Sequence, residues 1–368
     1  MRILLVTHET SLSGAPRVAL LVVRSLQDQG HEVVVAARGP GPVLGEFQAL
    51  APTRVERLFR TRSRLRARRP LRWLAYLLDT AIACLELLRC RPDLVYVNST
   101  AACIYLRPAR WLRRPAVLHV HESAHVALPF LGFGRARALL DRVQLVACSP
   151  SVHEEIANVA GVPSDEVLLV PSIPDSQAIR NLAAEPADLA FGPEEIVVGC
   201  CGTVEARKGT DLLAQTVPLV RSAVPDRRVR FIWIGDIGDE DLAAEVPPSV
   251  VELVGPRSNP YPLMARFDIA VLPSRDDPFP LVVLESMALG APVVAFDVGG
   301  VAAQVGEGGQ LVAPGDVDAL GQALSALIAD VCERRRLGES ARRRVDRSFS
   351  MDAFSAGVAR ALSGRLAR

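Results

Sequence analysis

Short, nearly uninterrupted apolar runs recur along this chain, and longer stretches with a helical apolar period separate them. In the first half the runs fall at 3–7, 33–37, 94–98, 117–121, 145–149 and 167–170. In the second half they fall at 196–200, 229–234, 250–254, 269–272, 293–296 and 311–313. Strands that are apolar throughout, rather than alternating, belong to parallel sheets covered on both faces. The stretches 15–29, 211–222 and 317–328 read as amphipathic helices between them. Alternating strands and helices predict an α/β protein with doubly wound parallel sheets. Two such arrays predict two Rossmann-like domains. The boundary falls at 171–193, where Pro171, Pro174, Pro186 and Pro193 break any period. The expected domains are therefore 1–175 and 190–349, with a closing helix, 350–368, that crosses back to the first. In sheets of this kind ligands bind beyond the carboxyl ends of the strands, at helix N-termini. Function is expected in those loops, across a cleft between the two domains.

The most apolar helix-length run, 73–88, is shorter than the roughly 20 residues a membrane span needs. It also contains Asp79 and Glu86, so a buried helix is the expectation. Composition fits a globular protein: 49% of the 368 residues are hydrophobic and 23% charged. The formal net charge is only +1, yet residues 1–170 hold 22 arginines against 14 acidic residues, and the remainder holds 20 basic against 27 acidic. The two halves are thus built to face different partners. Seven cysteines are scattered with no CxxC pair, and MRILLVTHE lacks the apolar length of a signal peptide. Both point to a reduced, cytoplasmic protein. Nine arginines crowd the stretch 54–72, with Leu58, Phe59 and Leu65 among them. It reads either as a solvated loop or as a patch for an anionic membrane. Basic residues near such a surface gain about 1 kcal/mol each, which would place the protein at the inner face of the membrane. No nucleic-acid module accompanies the charge, so nucleic acid is not an expected partner.

Of the 42 basic residues only one, Lys208, is a lysine. It sits where a strand-like run ends at Gly202 and a helix-like run begins, an entry at which N–H groups and a cation together hold phosphate. A chance survivor of an arginine bias is the plain alternative. The richest local pattern is 272–290, LPSRDDPFPLVVLESMALG. Asp277 lies in its loop, Pro280 suits a first helical position, and Glu285 lies within the helix. The free N–H groups of Leu281 and Val282 suit a phosphate, and the two carboxylates suit hydroxyl groups. The plain alternatives are that Asp277 caps the helix and that Glu285 lies on a solvated face.

The run Asp277, seven residues, Glu285, then SMALGAPVVA and Gly299-Gly300 resembles the signature of the family 4 glycosyltransferases, retaining enzymes with the GT-B fold. Arg207-Lys208-Gly209, Ile234-Gly235-Asp236 and GQLVAP at 309–314 match as well, and Ser13-Gly14-Ala15 matches a small-residue loop after the first strand. The resemblance is specific across 195–350 and looser through 1–170. It implies two Rossmann-like domains facing across a cleft. It further implies retaining transfer of a sugar from a nucleotide-diphosphate sugar to an acceptor hydroxyl, with neither metal nor cofactor. Lys208 would contact the diphosphate with Arg207 assisting, and Gly14 would let the first loop approach it. Glu285 would hold the ribose hydroxyls and Asp277 a hydroxyl of the transferred sugar, while His121 would lie beside that sugar. The backbone around Phe279, Leu281 and Val282 would complete the donor site. Three positions depart from the family pattern: Asp277 stands for Glu, Pro280 for Gly after Phe279, and Thr203 for Arg after Gly202. A GT-B epimerase, a phosphorylase or a nucleotide-sugar-binding pseudoenzyme are the alternatives. A phosphorylase would have to place its pyridoxal on Lys208, the only lysine. The DxD matches at 239–241 and 316–318 read as a turn and a helix cap rather than metal ligands. His119 and His121 share one side of a strand, where a hydrogen-bonded His119 is expected rather than a metal pair.

Overall fold

The computed structural model describes residues 1–56, 72–131, 140 and 143–364. Contacts divide the chain into two units, Met1–Ser172 with Met351–Arg368, and Ile173–Ser350. Unit 1 carries β1 (Arg2–Thr7), β2 (Glu32–Ala37), β3 (Thr53–Val55), β4 (Leu94–Asn98), β5 (Ala116–Val120), β6 (Val143–Ala147) and β7 (Val167–Leu169). They form one sheet in the order β3-β2-β1-β4-β5-β6-β7, and every pairing is parallel. Ile3, Leu4, Leu5 and Val6 are completely buried, which is why that run carries no polar alternation. The chain winds outward from β1 in one direction and from β4 in the other. The crevice between their carboxyl ends is the switch point at which such sheets receive ligands.

Unit 2 repeats the plan with β8 (Ile196–Cys201), β9 (Val229–Ile234), β10 (Glu252–Gly255), β11 (Ile269–Leu272), β12 (Val293–Phe296) and β13 (Gly309–Val312). Their order is β10-β9-β8-β11-β12-β13, again parallel throughout. Its switch point lies between β8 and β11. The core beneath is filled by Trp233, Phe231, Phe296 and Leu213 with the apolar faces of helices Thr210–Ala223 and Val317–Ala329. Aspartates start several helices: Asp175, Asp239, Asp316 and Asp330 each accept the N–H of the third residue onward.

The sequence expectation differs from the structure at four places. The edge strand β3 is only three residues long with Arg54 at its centre, too short and too polar for apolar patterning to register. Strands β6, β10 and β13 are shifted by one or two residues from the expected 145–149, 250–254 and 311–313; β13 opens on Gly309, which a count of apolar positions passes over. Pro280 is the cap preceding helix Leu281–Ala288 rather than its first residue. The helix expected to be buried, Arg72–Cys90, is buried on one face only. Ala75, Asp79, Ala83 and Leu87 turn inward at a four-residue spacing, while Trp73, Leu77, Leu85 and Leu88 remain exposed. The final helix, Met351–Ser363, packs in unit 1 on helix Gly14–Asp28, where Gln29 Nε2 donates to the Ser355 carbonyl at 3.1 Å. Most of the arginine-rich stretch, 57–71, lies outside the described residues. Among the described residues no helix is long and apolar enough to cross a membrane.

Asp79 faces inward because a charge partner awaits it. Arg38, at the carboxyl end of β2 and 3% exposed, bridges Asp79 at 3.2 Å and Glu56 at 3.3 Å. It also donates to the Ala101 carbonyl at 2.7 Å, and Tyr105 donates its hydroxyl to Glu56 at 3.2 Å. Removing one member of a buried ionic cluster costs about 3–5 kcal/mol, far more than the cluster itself contributes. Arg38→Ala should therefore lower the urea stability of unit 1 by about that amount. Equilibrium unfolding followed by far-ultraviolet circular dichroism tests it, and an unchanged midpoint would refute the account.

Candidate active site

In unit 2 the loops leaving β8 and β11 meet across the switch point. The turn Ala206–Lys208 ends at Gly209, whose φ is +76°. A Cβ there would lie 1.8 Å from the Pro273 carbonyl oxygen, so only glycine allows the two loops to touch. Arg275 N–H donates to the Arg207 carbonyl at 2.8 Å, and the Arg207 guanidinium returns to the Asp276 carbonyl at 3.1 Å. Arg275 also grips Asp211 through both its terminal nitrogens, at 2.8 and 2.6 Å, and that bidentate pair holds the Asp211 carboxyl below its ordinary pKa.

These braces bring the lone ammonium to its partner. Lys208 Nζ lies 2.5 Å from Asp277 Oδ2, with the side chains 17% and 8% exposed. The Asp277 loop is braced from behind by Gly299, whose φ is +52° and whose Cβ would lie 2.0 Å from the Asp277 carbonyl oxygen. Gly300 N–H donates to the Pro278 carbonyl at 2.9 Å, and Gln304 Nε2 to the Pro280 carbonyl at 3.0 Å. Asp277 thus does not cap the helix that follows, and Glu285 is not solvated. Glu285 is 6% exposed and accepts the Tyr261 hydroxyl at 3.2 Å. The first-turn N–H groups of Leu281 and Val282 have no acceptor within their helix. Arg207 is half-exposed and paired with Glu205 at 2.7 Å. The Phe279 ring is buried 6.1 Å from that of Phe349, so only its backbone is available to a ligand.

In unit 1 the switch-point crevice gathers two buried histidines, an asparagine and a carboxylate. Gly14 opens the helix after β1, and Asn98 ends β4. Asn98 Nδ2 donates to the Ala15 carbonyl at 2.8 Å, which fixes its Oδ1 toward His121 Nε2 at 3.1 Å. With that oxygen accepting, the neutral imidazole carries its proton on Nε2, and Nδ1 faces the Ser172 hydroxyl at 3.5 Å. Burial first, and His8 second, push the His121 pKa down to about 3. His119 stacks 4.2 Å from it and bonds the Tyr96 hydroxyl at 2.9 Å, and burial holds its pKa well down also. Glu122 gathers Ser99 Oγ, Thr100 N and Oγ1 and His121 N around one carboxylate.

The sequence-predicted residues fall into two groups: Gly14 and His121 in unit 1, and Arg207, Lys208, Asp277, Phe279, Leu281, Val282 and Glu285 in unit 2. Sequence reasoning missed Asn98, Tyr261, Arg275 and Gln304. A signal existed for Asn98, a polar residue closing an otherwise apolar strand at the switch point. Tyr261 lies 24 positions from Glu285, and nothing local marks it. The leading carboxylates of both DxD matches, Asp239 and Asp316, serve as helix caps. Among the described residues no three His, Cys, Asp or Glu side chains converge as metal ligands.

Comparison with known proteins adds sequence and fold relations to this geometry. Glycosyltransferase Family 4 matches residues 12–175, and Glycosyl transferases group 1 matches residues 195–330. The MMP alpha-(1->4)-mannosyltransferase of Mycolicibacterium hassiacum is 37% identical over 279 residues, 71% of this chain and 61% of that protein. The D-inositol 3-phosphate glycosyltransferase of Nocardia farcinica is 27% identical over 263 residues, 64% of this chain and 58% of that protein. The matches thus span about three fifths of the length of these curated relatives. Among solved structures, Anabaena Alr3699/HepE in complex with UDP and glucose superposes with a TM-score of 0.76 at 22% identity, covering 99% of each chain. WaaG, a glycosyltransferase involved in lipopolysaccharide biosynthesis, gives 0.68 at 16% identity, covering 98% of each. These likenesses establish the GT-B fold.

The neutral His121 has a consequence in acid. Its folded pKa lies below the value near 6.5 of an unfolded histidine, so below pH 6.5 the unfolded chain binds a proton that the folded chain refuses. Stability is full above pH 6.5 and falls as pH drops toward 3. At pH 5 the loss from this one group is roughly 2 kcal/mol, in a range where ordinary carboxylates have barely begun to titrate. His121→Gln should flatten the fall in melting temperature between pH 7 and pH 5. Parallel slopes for the variant and the parent would contradict the assignment.

Proposed function

Because the chain belongs to the family 4, group 1 glycosyltransferases, we propose that it moves a sugar from a nucleoside diphosphate sugar to an acceptor hydroxyl with retention of anomeric configuration. The observation that carries this reading is the Lys208–Asp277 contact at the switch point of unit 2, followed directly by the helix that bears Glu285. An ammonium and first-turn N–H groups suit a diphosphate, and two buried carboxylates suit the hydroxyls on either side of it. The Anabaena structural neighbour was solved with UDP-glucose, which supports a nucleotide sugar as the donor.

In this reading Lys208 neutralises charge that grows on the diphosphate as the bond from the anomeric carbon to phosphate oxygen breaks. Asp277 holds the ammonium in position and, once the diphosphate takes that ammonium, accepts a hydroxyl of the transferred sugar. Glu285, oriented by Tyr261, accepts the ribose hydroxyls. The acceptor oxygen attacks the same face that the phosphate leaves, and the departing phosphate oxygen takes the acceptor proton. No side chain need form a covalent intermediate. Rate enhancement comes from placing the reactants and from fixed positive charge. His121, neutral at working pH, would offer a hydrogen bond rather than charge. The acceptor would be presented by unit 1, the half with excess arginine. A lipid-linked, cell-wall or secondary-metabolite hydroxyl fits that half. No divalent cation enters this scheme, because Lys208 and the helix N–H groups supply the positive charge.

Lys208→Ala should lower turnover about a hundredfold or more, as loss of one preorganised electrostatic donor does, and should lower the melting temperature as well, because Asp277 is left buried without its partner. Release of nucleoside diphosphate from a panel of nucleotide sugars, with and without acceptor alcohols, measures it. Near-normal turnover would sink the role given to Lys208. Thermal stabilisation by nucleotide sugars with neither transfer nor hydrolysis on the whole panel would instead identify a binding protein.

A further inference from the structure

Eight of the sixteen exposed large apolar side chains among the described residues lie between positions 73 and 112. The others are scattered singly through the chain. On helix Arg72–Cys90, Trp73, Leu74, Leu77, Leu85 and Leu88 line the face turned away from the core, and Trp73 and Leu77 are 63% and 54% exposed. The neighbouring helix Leu106–Trp111 adds Trp111 at 60%. The two helices pack together, and the Arg107 guanidinium lies 5.4 Å from the centre of the Tyr76 ring. At 1.5 Å per residue the stripe from Trp73 to Leu88 is about 22 Å long. A contiguous apolar face of that length on a water-soluble surface marks an interaction site.

We propose that this face docks the protein on an anionic lipid membrane, with the helix lying in the interface plane. Charge selects that occupant. Segment 72–116 carries seven arginines, at 72, 89, 91, 107, 110, 113 and 114, against only Asp79, Glu86 and Asp93. Of those three, Asp79 is buried on Arg38, and Glu86 lies between Arg54 and Arg89 at 3.2 and 3.8 Å. A second copy seated on the same face would bring this excess of arginine against itself, since a two-fold contact pairs a patch with its own image. Anionic headgroups instead complement it. Tryptophan suits the headgroup boundary, where an apolar ring and a polar N–H are both satisfied, and an apolar face rimmed with arginine is the pattern of an interfacial helix. The inference does not depend on the proposed transferase activity. It would, however, place unit 1 where a lipid-borne acceptor resides.

The test is co-sedimentation of the full chain with vesicles of phosphatidylcholine alone and of phosphatidylcholine mixed with phosphatidylglycerol, at low and high salt. Binding is expected to the mixed vesicles and to weaken with salt. The paired substitution Trp73→Glu with Leu77→Glu should reduce that binding about tenfold or more and leave donor hydrolysis in solution unchanged, so this inference and the transferase reading fail separately. If that pair does not fold, Leu85→Gln with Leu88→Gln probes the same stripe lower down. Equal binding by variant and parent, or no binding to mixed vesicles, would overturn the proposal. So would a concentration-dependent dimer in light scattering that the paired substitution abolishes, because the face would then belong to a second copy.

Discussion

A lysine ammonium and an aspartate carboxylate stand 2.5 Å apart at the carboxyl edge of the second sheet, and most of the local architecture in unit 2 serves that contact. Lys208 leaves the loop after β8 and Asp277 the loop after β11, so they meet only because the strand order places β8 beside β11. Gly209 lets the two loops close, Arg275 locks one to the other, and Gly299 supports the second from behind. Such a pair gives little net stability, because desolvating two charges offsets most of their attraction. The bracing around it is therefore better understood as preorganisation for a charged ligand than as reinforcement of the fold.

Unit 1 places a different chemistry at its own switch point. There two histidines held below their ordinary pKa by burial gather a tyrosine, a serine and an asparagine, beside the carboxylate of Glu122. Asn98 is the hinge of that arrangement. Its two ends tie the glycine loop after β1 to the imidazole after β5, so a change in either loop is felt by the other. Further charges of unit 1 lie around Arg38 in the interior and among the arginines of 72–116.

The parts of this arrangement that the sequence reveals are those written into contiguous residues. The apolar runs of β1 and β8 announce buried parallel strands, and Arg207-Lys208-Gly209 with the 277–285 spacing marks the two loops that meet at the switch point of unit 2. What escapes is set by residues distant along the chain. Tyr261 orients Glu285, Arg275 ties the two loops, and Gln304 supports Pro280, yet none carries a local pattern. The helix Arg72–Cys90 was misjudged for another reason. It is apolar around most of its circumference, and apolarity alone does not say which side meets a core and which meets something else. Only the inward spacing of Ala75, Asp79, Ala83 and Leu87 distinguishes the faces, and Asp79 disguises it until Arg38 is known to await it.

The single lysine can now be given a physical reason. Elsewhere this chain uses the guanidinium fork where two acceptors lie side by side. Arg275 grips both oxygens of Asp211 through two nitrogens, and Arg344 does the same with the carbonyls of Ala303 and Gln304. The Lys208 stem instead passes Gly202, where an added Cβ would sit 3.9 Å from its Cδ and Cε, an ordinary van der Waals contact. It ends on one carboxylate oxygen in a site 17% exposed. A planar fork with five N–H groups would need more acceptors than are placed there. An ammonium on a thin stem can hold Asp277 through one contact and keep its remaining N–H groups for another acceptor. On that reasoning the exception to an arginine-rich composition follows from a partner that offers the cation a single carboxylate oxygen.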